Sequence, residues 1–183
     1  MLITVADLRL DPIEFDEHFS PEAIEYGEDI RQVGALDTKG RADLIEEHRG
    51  HKQVVPDIRV RGDYAGRFEV PCARCVEPVE HPLTDSFDLL YRPLGVDAGS
   101  AERAISTSET EIGYYNGDGL VLEDVLREQV LLSLPEKTLC RADCKGLCPS
   151  CGQNLNTETC SCESAEADPR WNPLSDLRSK IKS

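Results

Sequence analysis

From Ile58 to Cys72 the even positions read Ile58, Val60, Gly62, Tyr64, Gly66, Phe68, Val70 and Cys72, while the odd ones carry Arg59, Arg61, Asp63, Ala65, Arg67 and Glu69. A period of two marks a strand buried on one face. The phase survives both glycines, so the stretch is either one long strand bent at Gly62 and Gly66 or a tight pair folded there. After Cys75 the alternation resumes on odd positions at Leu83, Phe87, Leu89 and Tyr91, and a second strand leaves the cysteine pair. Upstream, "IRQVGALDTKGRADLIEEHR" places a turn signal at Asp37 to Gly40 between two candidate strands, and residues 30–92 read as an antiparallel meander.

The pattern then changes. Residues 93–111, "PLGVDAGSAERAISTSETE", are small and polar without any periodicity and predict a mobile, protruding loop, long for a compact domain. "NGDGLVLEDVLREQVLLSLP" predicts a helix with Asp118 as its cap, apolar residues at Leu122, Val125, Leu126, Val130 and Leu134, and a stop at Pro135. The fold class is therefore α+β, an antiparallel β-meander with one main helix toward the C-terminal side. It divides into an acidic α+β domain at 1–135 and a cysteine-rich lobe with a tail at 136–183.

That lobe changes the picture most. "CRADCKGLCPSCGQNLNTETCSC", residues 140–162, holds six of the eight cysteines of the 183-residue chain. No basic start followed by a long apolar run is readable at the N-terminus, and no stretch approaches a membrane span, so the expectation is a cytoplasmic protein whose thiols stay reduced. Clustered thiols in that setting point to metal or to catalysis. Catalysis finds no motif: no phosphate loop, nucleophile elbow or His-Glu metal pattern is present. Neither an enzyme nor a small-molecule substrate is expected.

Cys148-Pro149-Ser150-Cys151-Gly152 is a turn that lets two sulfurs reach one ion, and Cys72-Ala73-Arg74-Cys75 is a second such turn at the bend between two strands. Zinc takes four tetrahedral thiolates, which paired knuckles supply at little closure cost. Cys140 with Cys144, and Cys160 with Cys162, complete eight ligands. The preferred arrangement is two structural zinc sites in a zinc-ribbon-like lobe, Cys72 and Cys75 with Cys140 and Cys144, and Cys148 and Cys151 with Cys160 and Cys162. A single site remains the alternative, with Cys160 and Cys162 giving one ligand and Cys140 a free thiol. An iron knuckle is disfavoured because Val76, not glycine, follows Cys75. His18, His48, His51 and His81 show no ligand spacing.

Charge narrows the partners. The formal net charge is -15, with 39% hydrophobic and only 5% aromatic residues, which argues against a surface that wraps nucleic-acid phosphates. Acids crowd residues 1–30 and 76–136, whereas 49–74 is basic. Arg59, Arg61, Arg67 and Arg74 are thus the candidate RNA contacts, against the plainer reading of a solvated strand face. Trp171, the one tryptophan, is either a partner-binding anchor or, preferably, packs back on a lobe poor in apolar residues.

"CARCVEPV", "VLEDVLREQVLLSLP", "CKGLCPSCGQNLN" and "DPRWNPL", in that order over roughly 30–177, resemble the YceD family, named for large ribosomal RNA subunit accumulation. The resemblance implies a bacterial or plastid factor for synthesis, processing or stability of large-subunit (23S) rRNA, without catalytic chemistry. It also implies that Cys72 and Cys75 match the family's strand-bend pair. Cys144, Cys148, Cys151, Cys160 and Cys162 match the cysteine-rich form of its tail, where metal supports the fold. The partner expected is the large-subunit rRNA precursor or a basic ribosomal protein, the latter suited to an acidic body. A zinc-dependent interaction module outside the ribosome pathway and a thiol redox switch are the rival readings.

Overall fold

The computed structural model describes residues 1–49, 53–96 and 112–162. In chain order the elements are β1 (Leu2–Thr4), α1 (Val5–Leu8), β2 (Ile13–Phe19), β3 (Arg31–Gln32), β4 (Leu36–Arg49), β5 (Gln53–Pro71), β6 (Pro78–Pro93), β7 (Ile112–Tyr115), β8 (Gly119–Val121) and α2 (Leu122–Ser133). The main sheet runs β2-β4-β5-β6-β7, with β3 pairing β5 beyond the start of β4, and β1 and β8 form a separate antiparallel pair. The fold is α+β, and β4, β5 and β6 form the expected antiparallel meander. β7 was not legible in the alternation; it joins β6 in parallel.

The stretch from Ile58 is one strand, so the choice left open at the glycines falls on the long strand. Its even side chains Ile58, Val60, Tyr64 and Phe68 are buried in the same core as Leu83, Phe87 and Tyr91 of β6. Helix α2 covers this face through Leu122, Val125, Leu126 and Val130. Tyr64 fastens the two layers: its hydroxyl donates to the Gln129 carbonyl at 3.1 Å and lies 2.8 Å from Ser133 Oγ, which itself donates to Asp85 at 2.9 Å.

Two local expectations are corrected. Asp37 to Gly40 is no turn; it lies inside the fourteen-residue β4, paired with β2 on one side and β5 on the other. The glycine serves close approach instead. Phe15, Gly40, Gly62 and Phe87 stand in one row across four strands, and a Cβ on Gly40 would sit 2.2 Å from the Arg61 carbonyl oxygen and 2.5 Å from Phe15 Cζ. Because backbone is one of the clashing partners, Gly40→Ala is expected to cost about 1–3 kcal/mol, read as a lower denaturant midpoint.

Nor does Asp118 cap α2. The N-cap is Val121, without a side-chain hydrogen bond; the Leu122 N–H is taken up by the Met1 carbonyl at 2.9 Å, and Asp118 offers its own carbonyl to Val5 N at 2.9 Å. The orphan donor of the helix start is thus satisfied by the residue just before β1. α2 ends where expected, with Leu134 extended ahead of Pro135. Most of the expected loop at 93–111 lies outside the described residues, as does the tail from 163 on.

Candidate metal centres

The β5–β6 turn and the turn at Cys148 have the same backbone. Cys72 N–H donates to the Glu77 carbonyl and Val76 N–H to the Cys72 carbonyl, both at 2.9 Å; Cys148 N–H donates to Gln153 at 2.8 Å and Gly152 N–H to Cys148 at 2.9 Å. The fifth residue is left-handed in each, Gly152 at φ 75° and Val76 at φ 63°. The second turn read from the spacing thus has the full knuckle form although valine stands where the other has glycine, and the missing glycine does not count against a knuckle there. A β-branched residue there costs about 1–2 kcal/mol, partly offset by the entropy a glycine would lose. Since Val76 is 63% exposed and packs little, Val76→Gly is expected to stabilise the metal-loaded chain by about 0.5–1 kcal/mol, measured as a raised Tm.

Around the first knuckle gather Cys72, Cys75, Cys140 and Cys144; around the second, Cys148, Cys151, Cys160 and Cys162, with the sulfurs of each group within 4.8 Å of one another. This is the grouping expected from the spacing. The first is assembled from the β5–β6 turn and the segment after α2, which the Ala73 N–H to Thr138 carbonyl bond (2.8 Å) holds together. Leu147 N–H to the Arg74 carbonyl (3.1 Å) then sets the second knuckle beside the first. Cys72, Cys75 and Cys144 are buried, whereas Cys151 and Cys162 are exposed and Cys160 half-buried.

Each first knuckle cysteine is prepared as a thiolate. The backbone N–H groups of Cys140, Cys75 and Arg74 bring Cys72 down to about 6, and those of Cys151 and Ser150, with the Cys160 thiol, bring Cys148 to about 6. The opposite holds across each group. Cys140 is exposed as a residue, yet its sulfur faces the others, and desolvation there with the thiols of Cys75, Cys144 and Cys72 pushes it up to about 12. The Cys151 thiol, then desolvation, pushes Cys162 to about 12. Burial raises Cys144, but the Asn156 amide and the Gly146 N–H outweigh it and lower the thiol.

Asn156, which the spacing did not single out, donates to Cys144 Sγ at 3.3 Å while its oxygen accepts from Arg141 and Lys145 N at 2.8 Å. An amide in this position orients a ligand sulfur from outside the coordination shell.

The donor sets fit a metal ion. Cys72 and Cys144 sulfurs stand 3.8 Å apart and Cys75 and Cys140 sulfurs 3.6 Å apart. A disulfide needs about 2.05 Å, whereas four sulfurs at about 2.3 Å from a tetrahedral ion lie roughly 3.8 Å from one another. Two four-cysteine groups can thus each hold an ion, and no histidine joins them among the described residues.

The basic run is differently placed than its local sequence suggests. Arg59 grips Asp88 in a two-pronged pair at 2.7 and 2.6 Å, Arg61 meets Asp43 at 2.9 Å and Arg67 meets Glu80 at 3.1 Å. Their partners come from β4 and β6, and Arg59 in turn holds the Asp88 carboxyl below its usual range. Arg74 donates to the Cys144 carbonyl at 2.8 Å and so belongs to the first cysteine group. Trp171 lies outside the described residues, and so does His51.

A family model described as "Large ribosomal RNA subunit accumulation protein YceD" matches residues 60–178, from β5 through both cysteine groups. The chain belongs to the YceD family. An uncharacterized Mycobacterium tuberculosis protein is 32% identical over 148 residues, 81% of this chain and 64% of the relative. The chain thus spans somewhat less than two thirds of the length of that mycobacterial relative. Uncharacterized protein YlbN of Bacillus subtilis is 25% identical over 166 residues, 90% of this chain and 87% of its own. The Arabidopsis thaliana protein named "Large ribosomal RNA subunit accumulation protein YCED homolog 1, chloroplastic" is 37% identical over 57 residues, 31% of this chain and 18% of that one. No solved structure matches the chain. Among the described residues of this YceD protein no helix is long and apolar enough to cross a membrane.

Proposed function

We propose that this chain is a non-enzymatic cytoplasmic factor in the synthesis, processing or stability of large-subunit (23S) rRNA and in assembly of that subunit, with two structural zinc ions. The observation that carries the reading is the family match over 60–178, whose description names accumulation of large ribosomal RNA. The cysteine groups support a structural metal: each offers four sulfurs and no histidine or carboxylate, the donor set of a closed site with no position left for substrate. Zinc is the metal that such all-thiolate knuckles hold without redox chemistry. The 1–135 domain is the working body, and the 136–162 lobe is the part whose order the zinc secures.

For the partner, a net charge of -15 favours a basic ribosomal protein over a direct grip on phosphates. The paired state of Arg59, Arg61 and Arg67 supports the same preference, since an RNA phosphate would have to displace Asp88, Asp43 and Glu80. The test is sucrose-gradient fractionation of lysate with metal analysis of the purified chain. Migration with large-subunit precursors and two zinc per chain are expected; migration with RNA polymerase instead would overturn the ribosomal reading. Charge reversal of Arg59, Arg61 and Arg67 is expected to leave that migration intact, and its loss would move the contact to the arginine face.

A further inference from the structure

Between β2 and β4 the chain makes a loop that closes on itself around a cavity of about 650 Å³, lined along residues 21–34. Pro21, Ile24, Tyr26 and Ile30 give it an apolar wall, and the exposed carboxylates of Glu22 and Glu25 stand among its lining. Those two acids, and Glu28 and Asp29 beside them, have no ion-pair partner among the described residues. The neighbouring cations are engaged: Arg31 Nε donates to Glu69 at 3.0 Å, and Arg67 is held by Glu80.

Acids alone make no site, but two buried polar atoms in the same lining are unpartnered, Gln32 Oε1 and Tyr26 Oη. Gln32 is 5% exposed and Tyr26 6%. The Gln32 amide cannot turn to relieve its oxygen, because Nε2 is already spent on the Phe19 carbonyl at 2.9 Å and the Gly34 carbonyl at 2.8 Å. Tyr26 is fixed by its ring, edge-on to Phe68 at 5.2 Å between centroids. Apolar wall and unpaired carboxylates, backed by a buried amide oxygen and a phenol hydroxyl without partners, describe the complement of one side chain: an aliphatic stem ending in several N–H donors and a positive charge.

We propose that the cavity of residues 21–34 receives an arginine side chain from a basic polypeptide segment. Arginine suits it better than lysine, since a planar guanidinium presents five donors and can serve carboxylate and buried acceptors together. This rests on the reading above that a basic protein docks on the acidic body, and it names the place.

The test uses the full metal-loaded chain and fluorescein-labelled peptides, two arginines in a Gly-Ser background against the same peptide with lysines or with neither, read by fluorescence anisotropy at about 0.15 M salt, where distant charges are screened. The arginine peptide is expected to bind most tightly. Glu22→Gln with Glu25→Gln should weaken it at least tenfold and Tyr26→Phe severalfold, while Glu14→Gln with Glu17→Gln, an equal loss of charge on β2, changes it less than twofold. Equal weakening by the β2 pair would reduce the effect to the general field and overturn the proposal, as would an arginine peptide that binds no better than its Gly-Ser control. So would displacement of the peptide by an RNA oligonucleotide. If the peptide result fails while the chain still travels with large-subunit precursors, the pocket falls and the ribosomal reading stands; peptide binding without such migration has the reverse meaning.

Discussion

Chelating the metal from the purified chain is expected to free residues 136–162 for proteolysis while the sheet and α2 stay folded. The reason is how little else holds that stretch. Its buried cluster consists of Cys72, Cys75 and Cys144 with Val79 packed against them, and it is separate from the main core. Among the described residues five hydrogen bonds tie it to the β5–β6 turn, donated by Ala73, Leu147, Arg74, Cys140 and Asn154. At about 0.5–1.5 kcal/mol net for each, they fall far short of ordering a segment at about 1–2 kcal/mol per residue. A structural zinc contributes on the order of 10–16 kcal/mol in small domains at neutral pH, and two such ions together reach the lower end of that gap. The main core needs none of it, since Phe68, Leu126 and their neighbours pack without the lobe. Global unfolding on chelation, or cleavage at the same sites at the same rate with and without metal, would refute the division.

The release should come in two phases, the second centre first. Its ligands come from one short stretch with Cys151 and Cys162 exposed, while three sulfurs of the first centre are buried. Cys162→Ser should remove the fast phase and leave the slow one. Proton competition sharpens this. Cys72 and Cys148, near 6, are already thiolates at neutral pH, but Cys140 and Cys162, near 12, carry protons that a metal must expel; Cys75 and Cys160 are raised as well. Binding therefore releases at least two protons per ion between pH 7 and 8, and affinity should fall at least about a hundredfold for each pH unit lowered across that range. Competition with a chromophoric chelator measures it, and a flat pH profile would mean that the ligands are not these thiols.

What the sequence displayed and what it hid separate along physical lines. The phase from Ile58 to Cys72 was readable because the even side chains of β5 are buried in the core they share with β6 and α2, and burial writes itself into alternate positions. The two sulfur groups were readable because a knuckle is a local turn and its spacing is the geometry. Asp37 to Gly40 misled because its turn-like composition serves a close approach of Phe15, a contact of sheet neighbours that lie far apart in sequence. Val76 misled only as an argument against an iron knuckle, because a left-handed residue without glycine leaves no mark. The acids that neutralise Arg59, Arg61 and Arg67 were hidden for a third reason: they become neighbours only once strand register is set, as Arg61 opposite Asp88 illustrates. Nothing local announces Asp57 or Arg92 either.

That pair should be the most expensive single point in the body to break. Asp57 is 2% exposed and Arg92 4%, joined by two hydrogen bonds, Nε to Oδ1 at 3.1 Å and Nη2 to Oδ2 at 2.8 Å. Arg92 also reaches Glu47, whose side chain is 41% exposed, and sits opposite Tyr114 in the β6–β7 ladder. Beside it, Tyr115 Oη donates to the Pro56 carbonyl at 2.7 Å, so the charges brace the parallel strand that the chain adds after residue 111. Asp57→Ala takes from the buried guanidinium the carboxylate that meets it with two hydrogen bonds, and is expected to cost about 3–5 kcal/mol, a Tm lower by roughly 10 °C for a chain of this size. Replacing both partners together, Asp57→Leu with Arg92→Met, removes both buried charges and should recover most of the loss, because packed apolar side chains can replace a buried ion pair at little net cost. Denaturant unfolding of the metal-loaded single and double variants reads the difference. A single substitution costing under about 1 kcal/mol would show the pair to be solvated like the surface pairs of Arg59 and Arg67, and β7 would then owe its place to the apolar contacts of Tyr115 alone.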